Sequence, residues 1–195
     1  MAIIAISGHT SAGKSVLADR LADFLGYSQF DMGKEVFRKM QAEQGYPSIE
    51  SFCDALNMSP DIERAADLRQ AERLANADDI IALGRITPFI LRHKIAGFPV
   101  PAAKGINMLL NVGFEEGTKR EAGRPQNTGK TLEEVREIRR TRLRVDMARY
   151  LKLYGIENYL DPRIFDVEID TTLLTEEEVM NVALEMLTPK LLCRY

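Results

Sequence analysis

The sequence contains little cysteine, little net charge and no long apolar run. Its two cysteines, Cys53 and Cys193, lie far apart and fit no metal-ligand spacing, so we expect free thiols in a reducing compartment. No apolar run is long enough to span a bilayer, and the first six residues lack the basic start of a signal sequence. These absences predict a cytoplasmic protein with no membrane partner.

The charge of the chain is nearly balanced. The chain contains 26 lysines and arginines and 29 aspartates and glutamates, which gives a formal net charge of −3. This balance argues against a nucleic-acid partner, because such proteins carry a clustered excess of positive charge. Any anion-binding site must therefore be local.

The length and the pattern of apolar residues predict a single α/β domain over residues 1–195. A chain of 195 residues is short for two domains. Residues 2–6 are apolar without polar alternation, which is typical of a central parallel strand covered on both faces. Strands are predicted at 2–6, 27–30, 80–83, 106–112 and 164–169. Helical patterns lie between them, so the sequence predicts a five-stranded parallel sheet with helices on both faces.

Glycine, proline and capping residues mark the ends of the predicted helices. Gly26 and Gly155 stand where C-cap glycines belong, and Ser59-Pro60 is typical of a helix start. The predicted helices run from 14 to 25, from about 36 to 45, from 59 to about 77, from 131 to 155 and from 175 onward. A short helical stretch is predicted after Ser48, and residues 86–101 should begin as a helix and end in a proline-bounded loop.

One segment lacks a helical pattern. Residues 115–130 are rich in glycine, arginine and lysine and have no apolar periodicity, so they predict a mobile, basic loop or lid. The next helix begins with Thr131 and Glu134 in capping-box spacing, and Thr175 and Glu178 repeat this spacing before the last helix.

The strongest motif follows the first predicted strand. Residues 8–15 read GHTSAGKS and match G-x-x-x-x-G-K-[ST] between a strand and a helix, which favours a phosphate-binding loop over a chance Gly/Ser turn. Lys14 can reach the β and γ phosphates of ATP, and the Ser15 hydroxyl can bind Mg²⁺. Backbone N–H groups and the helix N-terminus would bind the remaining phosphate oxygens. The predicted contacts are Gly8, Ser11, Ala12, Gly13, Lys14, Ser15 and Val16.

The phosphate loop alone does not distinguish a kinase from a GTPase or a motor ATPase. The sequence contains no N-K-x-D guanine-reading motif. A small single domain with few additions favours a P-loop kinase that acts on a small metabolite.

Several arginines could hold a second anion. Bidentate arginines suit a phosphorylated acceptor, and Arg38 on the second helix and Arg85 after the third strand are placed for this role. Arg142, Asp146 and Arg149 share one helix face because their spacings are four and three. From spacing alone, this last group fits a ligand site and an ordinary intrahelical salt bridge equally well.

The order of these motifs resembles the cytidylate kinase family, especially its short archaeal-type members, over most of the chain. Asp31-Met32-Gly33 followed by Phe37-Arg38 resembles the family's D-S-G-x-x-[YF]-R, although Met32 replaces the serine. Gly84-Arg85 resembles its G-R, although Leu83 replaces the acidic residue that usually precedes it. Further matches are Arg120 and Arg124, where the family's lid carries arginines, and Arg142, Asp146 and Arg149, which fit R-x-x-x-[DE]-x-x-R.

This resemblance implies a nucleoside monophosphate kinase that uses ATP and Mg²⁺ and transfers the γ-phosphoryl group to CMP or dCMP. It implies an acceptor-binding helical insertion at about 32–78 and a lid at about 115–131. The implied catalytic residues are Lys14, Arg120 and Arg124. The implied acceptor contacts are Asp31, Gly33, Arg38, Arg85, Arg142, Asp146 and Arg149.

Two other functions remain open from the sequence. One is another small-molecule kinase, acting on a different monophosphate, on dephospho-coenzyme A or on an unphosphorylated metabolite. The other is a nucleotide-binding regulatory module without catalysis, for which Met32 and Leu83 give a reason.

Overall fold

The computed structural model describes residues 2–46, 59–99 and 105–192. Within them the sheet contains five parallel strands in the order β2-β3-β1-β4-β5. The strands are β1 Ile3–Gly8, β2 Ser28–Asp31, β3 Ile80–Leu83, β4 Gly105–Asn111 and β5 Val167–Asp170. The predicted parallel sheet is confirmed. The helical stretch predicted after Ser48, Cys53 and Cys193 lie outside the described residues.

Helices connect the strands and cover both faces of the sheet. A π-helix at Met32–Phe37 and two 3₁₀ turns, at Pro125–Asn127 and Pro162–Ile164, complete the helical structure of the described chain. The α-helices are α1 Lys14–Leu25, α2 Arg38–Glu43, α3 Pro60–Ala75, α4 Thr87–Leu91, α5 Phe114–Ala122, α6 Leu132–Tyr154 and α7 Glu176–Leu192.

The isoleucines of β1 divide the hydrophobic core into two layers. Ile3 is fully buried on one face, with residues of α3, α4 and α6. Ile4 and Ile6 are fully buried on the other face, with residues of α1 and α7. Each such side chain contributes about 1.5–3 kcal/mol of burial free energy. A strand with no polar alternation is therefore stable only at the centre of a covered sheet.

Most of the residues predicted to begin or end helices do so in the structure. Gly26 and Gly155 end their helices with φ of 68° and 67°, in the left-handed region that glycine favours. Both capping boxes form. Ser59 is the N-cap of α3, but its side chain makes no capping hydrogen bond.

Several boundaries differ from the prediction. The first strand is Ile3–Gly8 instead of 2–6, and the fourth lies one residue earlier, at Gly105–Asn111. The second strand lies one residue later, at 28–31, and the following helix begins at Met32, as a π-helix whose first N–H groups are capped by Asp31. The fifth strand begins at Val167 instead of 164. There Pro162 and the Asp161 carboxylate, which accepts from Arg163 N–H, form a 3₁₀ turn before the strand.

The prediction of a basic loop at 115–130 is wrong for residues 115–122. Residues 114–122 form α5, and Pro125–Asn127 form a 3₁₀ turn. The buried residues of α5 are Gly117, Thr118 and Glu121, so a helix packs there without an apolar stripe. Acidic residues in its first turn and basic residues in its last turn match the helix dipole.

Over the ranges 2–46, 59–99 and 105–192, no helix has both the length and the apolar character needed to cross a membrane. The cytoplasmic location stays a prediction.

The capping box of α6 gives a stability prediction. Replacing Thr131 with alanine removes the oxygen that accepts from Glu134 N–H, so the free energy of unfolding should fall by about 1 kcal/mol. Urea denaturation measures this change. Thr141→Ala, in the interior of the same helix, should change it by less than about 0.5 kcal/mol. Equal stability of Thr131→Ala and the unaltered protein would contradict the prediction.

Candidate active site

The phosphate loop connects β1 to α1 through a tight backbone path. Gly8 has φ of 136° and packs against the Leu110 carbonyl so closely that a Cβ would collide with that oxygen. His9 N–H donates to the same oxygen at 3.1 Å, which attaches the loop to β4. Position 8 therefore requires glycine, for space and for backbone conformation.

Lys14 begins α1, and its ammonium group turns back under the loop. Nζ donates to the carbonyl oxygen of Gly8 at 3.0 Å and to that of His9. The pKa of Lys14 is lowered to about 7, first by burial and then by the guanidinium groups of Arg85, Arg142 and Arg124. A bound anion would offset both effects.

A cavity of about 320 Å³ opens beside the loop, where the carboxyl ends of β1, β2 and β3 meet. The phosphate loop, the π-helix, α3, the end of β3 and α6 contribute to its lining. The predicted site residues that line the cavity are Gly8, Ser11, Gly13, Lys14, Ser15, Val16, Asp31, Gly33, Arg85, Arg124 and Arg142. The structure thus places the phosphate loop and three predicted anion-binding arginines around one space.

Five predicted site residues do not line the cavity: Ala12, Arg38, Arg120, Asp146 and Arg149. Ala12 is buried, and its carbonyl oxygen accepts from the Thr171 hydroxyl at 3.3 Å. Arg38 is exposed at the start of α2. Arg120 pairs with Glu116 at 2.9 Å and donates to the Thr171 carbonyl oxygen at 2.8 Å. Arg120 therefore joins α5 to the loop after β5.

Asp146 and Arg149 lie behind the cavity wall in an ion-pair network. Asp146 is 4% exposed and contacts Arg85 at 3.0 Å and Arg149 at 2.9 Å. Arg149 also contacts the fully buried Glu63 of α3 at 2.7 Å. Burial disfavours the charge of Arg85, but Asp146 raises its pKa above the usual range and so keeps it protonated. The network joins β3, α3 and α6, and is more than an intrahelical salt bridge.

The polar residues on the buried face of α3 were not among the predicted site residues. Glu63, Asp67 and Gln70 are all less than 3% exposed, and the last two line the cavity. Asp67 accepts from the Tyr154 hydroxyl at 2.8 Å, and burial, helped by the charge of Glu63, raises the pKa of Asp67 to about 8. Their spacings of four and three place them on one helix face, but only the structure shows that this face is buried.

The amide group of Gln70 lies close to the end of β3. Its Nε2 donates to the hydroxyl of the fully buried Thr87, and a Cβ at Gly84 would come within 2.6 Å of that nitrogen. Among the described residues, Gln70 Oε1 accepts no hydrogen bond. A buried amide oxygen in this state favours a donor from a ligand.

The lowered pKa of Lys14 predicts proton uptake when a polyphosphate binds. At pH 8 an amine with a pKa near 7 is mostly neutral, so binding ATP should take up close to one proton, and binding at pH 6 much less. Calorimetry in two buffers of different ionisation enthalpy measures this number. The Lys14→Met variant should lose the difference between the two pH values, and an equal difference in that variant would contradict the assignment.

Comparison with solved structures finds a similar fold in two kinases. The shikimate kinase of Bacteroides thetaiotaomicron has a TM-score of 0.59 and 14% identity, over 97% of this chain and 98% of that one. The gluconokinase of Sinorhizobium meliloti 1021 has a TM-score of 0.59 and 16% identity, over 97% and 93%. At these identities the likeness concerns the fold alone.

Comparison with curated proteins identifies the family, although no family model matches the chain. The cytidylate kinase of Pyrobaculum aerophilum is 31% identical over 195 residues, which covers 100% of this chain and 97% of that protein. The cytidylate kinase of Ignicoccus hospitalis is 30% identical over 187 residues, covering 96% and 99%. That of Methanopyrus kandleri is 29% identical over 189 residues, covering 97% and 94%. With relatives matched over their full length and the phosphate loop and arginines in one cavity, the chain belongs to the cytidylate kinase family.

Proposed function

We propose that the protein transfers the γ-phosphoryl group of ATP to CMP or dCMP. The observation that carries the proposal is the convergence of Lys14 with Arg85, Arg124 and Arg142 on one cavity. Two phosphate groups that must approach each other need this concentration of positive charge. The names of the relatives support cytidine monophosphate as the acceptor.

The nucleotide donor would bind at the phosphate loop. Lys14 supplies positive charge under the loop, and loop N–H groups with the N-terminus of α1 bind phosphate oxygens. The Ser15 hydroxyl lines the cavity and fits Mg²⁺, a hard cation that prefers oxygen ligands and keeps several from phosphates and water. Bound there, Mg²⁺ would neutralise developing negative charge on the phosphates.

The acceptor would bind at the opposite wall. Arg85 is fixed by Asp146 at 3.0 Å and points its charge into the cavity lining, near Arg142. Arg38 follows Phe37, a lining residue, and stays a proposed phosphate contact. Asp31 lines the cavity but also caps the π-helix, since its carboxylate accepts from Gly33 N–H at 2.9 Å.

Positioning and charge stabilisation would supply the catalysis. Phosphoryl transfer needs no protein nucleophile when the acceptor oxygen and the γ phosphorus are held in line. Arg124 lines the cavity, whereas Arg120 is held by Glu116 and by carbonyl oxygens after β5. We therefore assign Arg124 to the transferring group and give Arg120 the role of holding α5.

The polar face of α3 supports a base that carries an amino group. Gln70 Oε1 and, once ionised above its pKa of about 8 or by a bound donor, the Asp67 carboxylate present acceptor oxygens to the cavity wall. Met32 and Phe37 supply apolar surface beside them. The 4-amino group of cytosine donates two hydrogen bonds, whereas the 4-oxygen of uracil donates none. Acceptor oxygens facing uracil would be left unpaired, which costs about 1–3 kcal/mol.

A panel of acceptors with ATP tests the function. ADP should form with CMP and dCMP at roughly 1–100 s⁻¹, and Lys14→Ala should abolish this turnover while the protein stays folded. The panel includes UMP, AMP, dephospho-coenzyme A and shikimate. A dominant rate with any of these four would replace the proposed acceptor. Tight ATP binding without ADP release from every acceptor would indicate a regulatory module.

The Asp67→Asn variant tests whether Asp67 recognises the base of the acceptor. At pH 9, above the pKa of Asp67, the asparagine amide offers the 4-oxygen of uracil a donor that the carboxylate lacks. The ratio of kcat/KM for CMP to that for UMP should therefore fall by about tenfold at this pH. Glu72→Gln, on the exposed side of the same helix, should leave the ratio unchanged. An unaltered ratio in Asp67→Asn would remove Asp67 from base recognition.

A further inference from the structure

Glu121 places a buried carboxylate against the phosphate loop. It lies in the last turn of α5, is 5% exposed and accepts a hydrogen bond from the Ser11 hydroxyl. Ser11 lines the cavity and has φ of 64°, in the left-handed region that a serine rarely adopts. A strained loop residue is therefore held from outside the loop by an acidic side chain.

A second contact fixes the geometry of this attachment. Arg139 of α6 donates to the Thr10 carbonyl oxygen at 3.0 Å, and its guanidinium carbon is 5.5 Å from the centre of the Phe114 ring. The side chain reaches the loop across Gly117, where a Cβ would collide with Nη2. The helices α5 and α6 thus bind two consecutive loop residues.

The Glu121 carboxylate also reaches Arg124. The Oε2 atom that accepts from Ser11 is 3.6 Å from Arg124 Nη1. Asn127 Nδ2 donates to the Glu121 carbonyl oxygen at 2.9 Å, which fixes the chain on the far side of Arg124. Arg124 is nearly half exposed, so this ion pair restricts a side chain that solvent would otherwise leave mobile.

We infer that Glu121 is a positioning residue for phosphoryl transfer, which holds Arg124 at the phosphate loop. The inference rests on the proposed function, because that function gives Arg124 its role. The same carboxylate acts in the opposite sense on nucleotide binding, since its negative charge lies beside the site of the phosphates. Glu121 therefore lowers the affinity for the nucleotide and raises kcat.

Glu121→Gln separates the two effects. The amide keeps the size of the side chain and can still accept from Ser11, but it has no charge for Arg124. We expect kcat to fall about tenfold, because the arginine is no longer held. The Kd of ATP should fall by roughly threefold or more, because a repulsive charge has gone. Damage to the loop would instead weaken ATP binding.

Two further variants make the test specific. Glu121→Asp keeps the charge but shortens the reach, so kcat should fall without tighter ATP binding. In an Arg124→Gln background, Glu121→Gln should cost little further kcat, because the residue through which it acts is already lost. Glu115→Gln, on the exposed side of α5 and paired with Arg136 at 2.7 Å, is the matched control and should leave both constants unchanged.

The outcomes distinguish this inference from the proposed function. Weaker ATP binding in Glu121→Gln, unchanged kcat, or an equal loss of kcat in both backgrounds would overturn the inference. So would full turnover in Arg124→Gln. In each case CMP turnover by the unaltered enzyme would leave the proposed function intact. Absence of that turnover would contradict the proposed function itself.

Discussion

Lysine and arginine side chains that line one cavity repel one another until an anion binds there. The chain meets this constraint with carboxylates placed just outside the cavity lining or at its edge. Asp146 pairs with Arg85, and Glu121 pairs with Arg124. The ammonium of Lys14 donates to carbonyl oxygens of its own loop, and its pKa is lowered first by burial and then by the remaining repulsion from the arginines. The site is thus arranged to gain from phosphate binding.

The compensating carboxylates also determine which parts of the fold must come together. Glu63 comes from α3, Glu121 from α5 and Asp146 from α6, so no local segment could hold the site alone. Burial makes these pairs depend on one another, because removing one partner leaves a charge away from water. Stability and function are coupled here through the same side chains. A substitution at Glu63 would therefore disturb Arg149 and, through Asp146, the wall beside Arg85.

Local patterns in the sequence were sufficient to predict the sheet, most helix ends and the phosphate loop. The isoleucines of β1, the capping box at Thr131 and the glycine at Gly155 act over a few residues, so the order of residues reveals them. The helix α5 was missed because its buried face is made by Gly117 and Glu121, which carry no apolar period.

Contacts between residues that lie far apart in the sequence could not be predicted from local patterns. The spacing of Asp146 and Arg149 shows that they share a helix face, but nothing in it identifies Glu63 as the partner of Arg149. Polar residues on α3 suggest a solvated face unless the burial of that face is known, which is why Asp67 and Gln70 carried no signal of a site.

Gly117 has no functional group, yet Arg139 reaches the phosphate loop only across the space that its missing side chain leaves. Any larger residue there would push the guanidinium away from the Thr10 carbonyl oxygen. A relative could therefore keep every letter of the phosphate-loop motif and every arginine, and still lose the hydrogen bond that links α6 to the loop. In this fold, the presence of the motif does not guarantee catalytic activity.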